Sequence, residues 1–587
     1  MQDTMNGKMT LDGTWRIAFD RDNTGLEQNW HRRGQFPEQE ARNIPVPSCW
    51  EEHEEDYEGV AWYAREIAVP AGWQGQVVRL RFAAVNAHAE VWLNGDMVGG
   101  ETSGYTPIEF DVTQFLRHGQ PNRLVVRVVG PAVRAERVGP YVSNETAHWR
   151  GGYVGGIWQS VSLIATDPVF VRDVFVEPCL SQGEAVVNIE VANDAFQPLP
   201  VPGEMEPTHG KRGPQAFNPI CSRRLTMAVA ISPADSPTET VASTTVELVV
   251  PPGGTTQRHP LKLDRVIPWS PENPHLYVAT VRLLDDRQEI HSETARFGMR
   301  EFGVSGTDFV LNGERVFIKG AFWEGLYPST MAHPRNEEIV RREIRLAKEA
   351  GFNLLRPWRM PPCPLILDLA DEMGMLLVGS PAIACMGYWP AETPRMEEVW
   401  TRALTEMIRR DRNHASIIMW ENTNEIVRKS MIVRRHRVPL AARSVDPTRV
   451  ILDESGGSRA AWGSFVYPPY SAEPIPIDDR HTYVGAPVAS PVYDRLAAYG
   501  TEGQPVFVSE VGCGSFPKIA ENCARYQREG NPKTPDYQYH MELLESLEAV
   551  MAEHDLHDLF PDVSALCQST QEIQALANCQ QLEALRI

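Results

Sequence analysis

The apolar residues of this chain change their period at Gly303, and that change constrains the fold more than any other feature. Before it, the runs at 77–82 (Val-Val-Arg-Leu-Arg-Phe), 89–93, 123–129, 186–191 and 276–283 alternate or nearly alternate apolar and polar residues, with turn-forming residues between them. Period-two alternation suits a strand with one face buried and the other wet, so this half reads as antiparallel sandwiches. Asn94-Gly95 predicts a two-residue hairpin, because both residues tolerate the positive φ of a type I′ turn. After Gly303, short apolar runs alternate with stretches whose apolar residues recur every three or four positions. That is the signature of βα units on a parallel sheet. The runs lie at 316–320, 353–356, 376–378, 417–420, 450–452, 481–483 and 506–509, with helical stretches at 336–350 and 396–410 among those between them. Seven such strands predict an eight-stranded barrel more than an open sheet.

A chain of 587 residues is too long for one hydrophobic core. The expected fold class is therefore multidomain β plus α/β. A first β-sandwich spans 1–166, and a smaller, immunoglobulin-like β-sandwich spans 167–302, with a Pro/Gly-rich surface insertion around 198–224. A TIM-type (β/α)8 barrel spans 303–587. After 506–509 only helical patterns remain, at 537–553 and 570–586, so the barrel is expected to be C-terminally incomplete and to lack its last strand. The alternatives are a short strand hidden at 556–559 or a strand from a partner chain. Without one of these, the first and last strands keep unpaired edges.

Charge and composition exclude other classes. The formal net charge of −21 repels a phosphate backbone, and no basic stripe overrides it, so no nucleic-acid partner is expected. The first dozen residues are polar where a secretory signal needs an apolar run, and no stretch reaches membrane-spanning length. The expectation is a cytoplasmic protein with no membrane partner, with a homo-oligomer left open. Nine cysteines, without a Cys-x-x-Cys pair, read as reduced thiols and not as a zinc or redox site.

Barrel enzymes carry their chemistry where strands end. In Ser416-Ile-Ile-Met-Trp-Glu-Asn-Thr-Asn-Glu425 an apolar run opens into a polar cluster, and in Pro505-Val-Phe-Val-Ser-Glu510 a run ends on a carboxylate. A single glutamate after a strand is most often a surface residue. Two on facing barrel strands about 5 Å apart suit double displacement, in which one attacks an anomeric carbon and the other first donates and then accepts a proton. An ionised Glu510 would disfavour ionisation of Glu425, so that Glu425 can hold a proton to donate.

The run Arg412-Asn-His-Ala-Ser-Ile-Ile-Met-Trp420 leading to Asn424-Glu425, followed by Val508-Ser-Glu510-Val-Gly512, strongly resembles glycoside hydrolase family 2, the family of β-galactosidases, β-glucuronidases and β-mannosidases. Leu11-Asp-Gly-Thr-Trp15, Val46-Pro-Ser-Cys-Trp50, Val91-Trp-Leu-Asn-Gly95 and Gly155-Gly-Ile-Trp158 look like its jelly-roll sugar-binding domain. The run from Leu311 to Gly320 looks like its entry into the barrel. The resemblance implies Glu425 as acid/base, Glu510 as nucleophile, Asn424 on the sugar 2-hydroxyl, Arg356 supporting the nucleophile and Tyr483 donating to it. Arg356 also has a reading as a structural ion-pair partner, and His414 reads as a turn residue. Trp323, Trp358 and Trp389 follow barrel runs, where they could stack on sugar or simply pack.

The chain departs from the family pattern in places. Pro357-Trp-Arg-Met-Pro361 replaces the usual Ser-His-Tyr-Pro, Ala415 stands where proline is usual, and the Asn-x-Lys that would grip a sugar carboxylate is missing after Glu510. The expectation is a retaining exo-β-glycosidase acting on a carbohydrate substrate without metal or other cofactor. The alternatives are a catalytically weak or inactive carbohydrate-binding relative and a β-glycanase acting on internal linkages.

Overall fold

The computed structural model describes residues 7–54, 57–131, 133, 154–194, 222–323, 327, 330–357, 360–382, 394–457, 463–500, 503–529 and 535–586. Asn94 and Gly95 both have positive φ, 57° and 91°, and join His88–Leu93 to Asp96–Thr102 as a tight hairpin with Leu93 opposite Asp96. That hairpin edges a six-stranded antiparallel sheet, which faces a four-stranded sheet built from Gly7–Thr10, Val161–Thr166, Val77–Phe82 and Ile108–Asp111. Alternation decides the packing. Val78 and Leu80 of one sheet meet Val91 and Val126 of the other in one core around Trp15 and Trp50.

A second pair of antiparallel sheets follows. Val169–Cys179, Glu184–Asn193 and Thr255–Lys262 form one, and Ala242–Val250, Arg223–Pro233, Tyr277–Asp285 and Gln288–Phe297 form the other. Val187, Met227 and Val281 share their common core. The stretch read as an insertion lies outside the described residues as far as 221, and Arg223 already sits in a strand.

The later part of the chain forms one eight-stranded sheet in sequence order: β1 (Gly320–Trp323), β2 (Leu354–Pro357), β3 (Leu376–Gly379), β4 (Ile417–Glu421), β5 (Val450–Leu452), β6 (Ser464–Tyr467), β7 (Ile475–Tyr483) and β8 (Val506–Gly512). Seven of these lie on the seven runs read from the sequence. The first begins later than 316 because its ladder with β2 starts at Gly320 opposite Leu354. The strand β6 is a correction to that reading. It pairs antiparallel with both β5 and β7, and it extends β7 backward to Ile475. Phe465, Val466 and Tyr467 are strand-favouring residues, but a run of four ending at Pro468-Pro469 is too short to stand out, and pairing on both sides makes this strand.

The eighth parallel strand is absent among the described residues, and no pairing joins β8 to β1 there. Leu556–Asp558, where a hidden strand was considered, is a 3-10 turn. The sheet nevertheless curls until β2 meets β8, because Arg356 Nη1 on β2 donates to Ser509 O on β8 at 3.0 Å. Between β1 and β8 this leaves a cleft of about 720 Å³, lined by Ala321, Phe322, Leu354, Val506, Val508 and Leu582. The helix Val563–Ala584 covers the outer side of β8, where Gln581 Nε2 donates to Val484 O and Gly512 O, each at 3.2 Å.

Polar anchors fix the second sandwich to the sheet. Arg300, fully buried, donates to Ala415 O at 3.1 Å and Ile417 O at 2.6 Å, at the entry to β4. Asn413 accepts from Val176 N and donates to Val174 O. His414, at that same turn, pairs its Nδ1 with the buried Asp371 carboxylate at 2.7 Å and stays away from the sheet's C-terminal mouth. Packing at β3 is equally close: a Cβ on Gly379 would lie 2.3 Å from Trp420 Cζ3. Gly379→Ala should therefore cost about 1–3 kcal/mol, as overpacking of a filled core does. A thermal unfolding midpoint equal to wild type would show that the Trp420 ring can yield. Among the described residues no helix is long and apolar enough to cross a membrane.

Candidate active site

The C-terminal ends of β2, β4, β5, β7 and β8 converge, and each delivers a polar side chain that its apolar run carries inward. β4 ends on Glu421, and the chain runs on through Asn422 and Thr423 to Asn424, whose backbone bridges to Ser455 beyond β5. Glu425 N donates to Ser455 O at 2.9 Å. That contact holds Glu425 at φ 49°, a left-handed conformation uncommon outside glycine.

Glu510 lies on β8 and is only 4% exposed. Tyr483 OH on β7 donates to its Oε2, and His481 Nδ1 stands 3.4 Å from the same oxygen. Its other oxygen, Oε1, has no hydrogen-bond partner among the described residues, the nearest cation being Arg356 Nη1 at 3.7 Å. Burial raises the Glu510 carboxyl above the ordinary glutamate range, while His481, Tyr483 and Arg356 pull it back. One carboxylate oxygen of Glu425, one of Glu510 and a ring nitrogen of His481 all lie within 4.8 Å of one another.

Arg356 sits at the centre of the mouth and is buried. Expected to support Glu510, it gives its closest contacts to Glu421 instead, as a fork of Nε to Oε2 at 3.2 Å and Nη2 to Oε1 at 2.5 Å. The same Nη2 reaches Ser455 Oγ at 3.0 Å and Asn424 Oδ1 at 3.3 Å. Arg356 thus orders the ends of β4 and β8 together, and its charge stands behind Glu510 without a direct hydrogen bond.

The structure therefore brings Glu425, Glu510, Asn424, Arg356 and Tyr483 to one place. Trp358 and Trp389 lie outside the described residues. Trp323 is held away by its own partner, its indole N–H donating to Glu343 Oε2 at 3.1 Å. Sequence reasoning missed Glu421, Ser455, Asp479, His481 and Ser509. Glu421 and Ser509 stand within the two strand-end runs, directly after Ile417–Trp420 and directly before Glu510, and the polar run Asp478-Asp-Arg-His481 just before Tyr483 is the signal for Asp479 and His481. Two clusters among the described residues offer three metal-ligating atoms each: Glu425, His481 and Glu510 here, and Cys49, Glu52 and His333 where the first sandwich meets the sheet. At the mouth two of those atoms already bond each other, His481 Nδ1 lying 2.6 Å from Glu425 Oε1.

Comparison with known proteins adds the family. Three models of glycosyl hydrolases family 2 match this chain: the sugar binding domain at residues 9–167, the family's general model at 222–300 and the TIM barrel domain at 302–474. A beta-galactosidase of Yersinia pseudotuberculosis serotype O:1b is 26% identical over 529 residues, covering 86% of this chain and 46% of the relative. The chain spans about half the length of the curated relatives it matches. Among solved structures, a glycosyl hydrolase family 2 member from Bacteroides cellulosilyticus DSM 14838 shares the fold with a TM-score of 0.62 at 21% identity, over 89% of this chain and 62% of that one. The beta-glucuronidase of Ruminococcus gnavus does so with a TM-score of 0.62 at 22% identity, over 77% of this chain and 73% of that one.

Proposed function

Because this chain belongs to glycosyl hydrolase family 2, we propose that it is a retaining exo-β-glycosidase that removes a terminal β-linked sugar by double displacement. The observation that carries the reading is the approach of the Glu425 and Glu510 carboxylates to within 4.8 Å, which suits a retaining pair and leaves no room for the water an inverting pair needs between them. Glu510 Oε1, buried and without a hydrogen-bond partner among the described residues, is the attacking atom. It forms a bond to the anomeric carbon as the bond to the leaving oxygen breaks and Glu425 gives that oxygen its proton. Glu425, now a carboxylate, then takes a proton from water as the water's oxygen displaces Glu510. Tyr483 holds Oε2 through its hydroxyl, and Arg356 fixes the strand ends that carry both carboxylates. Asn424, beside Arg356, is the residue for the sugar 2-hydroxyl.

We divide the chain at 166/167 and 302/303 into a jelly-roll sandwich, an immunoglobulin-like sandwich and a catalytic barrel. The described cysteines are all unpaired, which fits a reducing compartment such as the cytoplasm. The open seam between β1 and β8, next to Glu510, favours one second reading: that this chain by itself holds sugar but turns it over weakly.

A panel of nitrophenyl β-glycosides, including galactoside, glucuronide and mannoside, separates the two and names the sugar. The expected result is turnover of at least one of them, with the β-anomer of the sugar appearing first by NMR. First release of the α-anomer would exclude retention, and binding without turnover across the panel would favour the second reading.

A further inference from the structure

A third carboxylate, that of Asp479, is joined to Glu425 at this mouth. From Glu425 Oε1 a continuous line of hydrogen-bonding atoms runs inward: 2.6 Å to His481 Nδ1, across the ring to Nε2, 3.1 Å to Ser509 Oγ, and on to Asp479 Oδ1, to which Ser509 donates. His481 is 2% exposed and Asp479 is fully buried. The ring is boxed in as well, for a Cβ on Gly456 would lie 2.6 Å from its Cε1. We propose that Asp479, Ser509 and His481 form a buried proton chain that exchanges one proton with Glu425, making all three positioning residues that decide which protonation state Glu425 presents to substrate. The inference rests on reading Glu425 as the acid/base.

The polarity of the chain allows two states. With Asp479 ionised, Ser509 Oγ–H donates to it, the Ser509 oxygen accepts Nε2–H of His481, and Nδ1 accepts the proton carried by Glu425. With Asp479 protonated, its O–H donates to Ser509, Ser509 donates to Nε2, and Nδ1–H donates to an ionised Glu425. In passing between them Asp479 loses a proton and Glu425 gains one. Ser509 and His481 each give one up and take one, so the net charge is constant. Burial raises Asp479 to about 7, against the pull of Ser509, His481 and Arg356, so that both of its states are populated near neutral pH. The other charged groups facing the chain are Arg356 from β2, Glu421 from β4 and Glu510 from β8, with the Tyr483 hydroxyl beside Glu510.

Ser455 Oγ supplies the control. It accepts from Arg356 Nη2 at 3.0 Å and lies 3.1 Å from Nε2 and 2.9 Å from Ser509 Oγ. In Ser509→Ala it becomes the donor to Nε2, which locks Nδ1–H toward Glu425 and favours the ionised carboxylate. The alkaline limb of kcat/KM on a poor-leaving-group aryl glycoside should then move down by about one pH unit, the scale of one hydrogen bond to a carboxylate. A dinitrophenyl glycoside, whose departure needs no proton, should show no such movement, and Ser509→Thr should restore the limb. The 15N shifts of His481 should report loss of the Nε2–H tautomer in Ser509→Ala, a readout that needs no turnover. An unmoved limb with an unchanged tautomer, or an equal loss on both substrates at every pH, would overturn the chain. If wild type hydrolyses no β-glycoside, the acid/base reading fails, and the tautomer shift alone then decides whether the chain exists.

Discussion

Glu510→Ala is expected to lower kcat by about 10,000-fold or more on every aryl β-glycoside that the wild-type chain hydrolyses, because in the proposed mechanism Glu510 forms the bond to the anomeric carbon. The fold should survive. Burial raises this carboxyl above its unfolded-state value, so above the ordinary glutamate range the ionised group detracts from stability. Its removal should leave the thermal midpoint at neutral pH unchanged or higher. Azide, small enough to enter the space vacated beside Tyr483, should restore turnover and give the α-glycosyl azide. A variant turning over within tenfold of wild type would remove Glu510 from the mechanism, and a lower thermal midpoint would show that its contact with Tyr483 outweighs the burial.

Glu425→Ala is the second large effect, and here the leaving group decides its size. Substrates with poor leaving groups should lose about 100- to 10,000-fold, the usual worth of a placed general acid. Dinitrophenyl glycosides should form the covalent intermediate at nearly the wild-type rate and then stall, so that a burst precedes slow turnover. Azide, entering from the opposite face of the intermediate, should now give the β-glycosyl azide. The rate profile in the wild type should be bell-shaped, with an acidic limb above the ordinary glutamate range because burial raises Glu510, and with an alkaline limb that vanishes in this variant. Equal impairment on both substrate classes would leave Glu425 a structural residue.

What could be read from the sequence, and what could not, follows from range. Strands such as Val77–Phe82 and hairpins such as Asn94-Gly95 are written in consecutive residues, so periodicity and turn chemistry expose them. Glu510 was legible because it ends an apolar run, and Glu425 because it closes the polar cluster into which another apolar run opens. By contrast, β6 is a strand only because β5 and β7 flank it, and nothing within Ser464–Tyr467 records those neighbours. Arg356 was visible as a charged residue at a strand end, but its choice of Glu421 over Glu510 depends on how far the sheet curls. His481, Ser509 and Asp479 lie on two adjacent strands, β7 and β8, and their bonding to one another depends on register. A one-residue slip of β8 would turn Ser509 to the other face, away from Asp479 and His481.

The seam between β1 and β8 has a mechanical consequence. Elsewhere in the sheet, neighbouring strands are locked by several backbone bonds that resist sliding. Across the seam the coupling passes through Arg356, whose guanidinium lies 5.3 Å from the Phe322 ring on β1 while it bonds Ser509 O on β8 and Glu421 on β4. A ladder is a weld, whereas one side chain is a pivot. β8 carries Glu510, the attacking carboxylate of the proposed mechanism; its ladder to β7 and the Gln581 bond to Gly512 O hold one side, and on the seam side its aim depends on this pivot, where an error of about 1 Å in such a placement can cost about 100-fold in rate. Arg356 therefore governs alignment as much as charge. A rate lost on replacing it would measure the play in the joint, and the electrostatic support given to Glu510 would be only part of that loss.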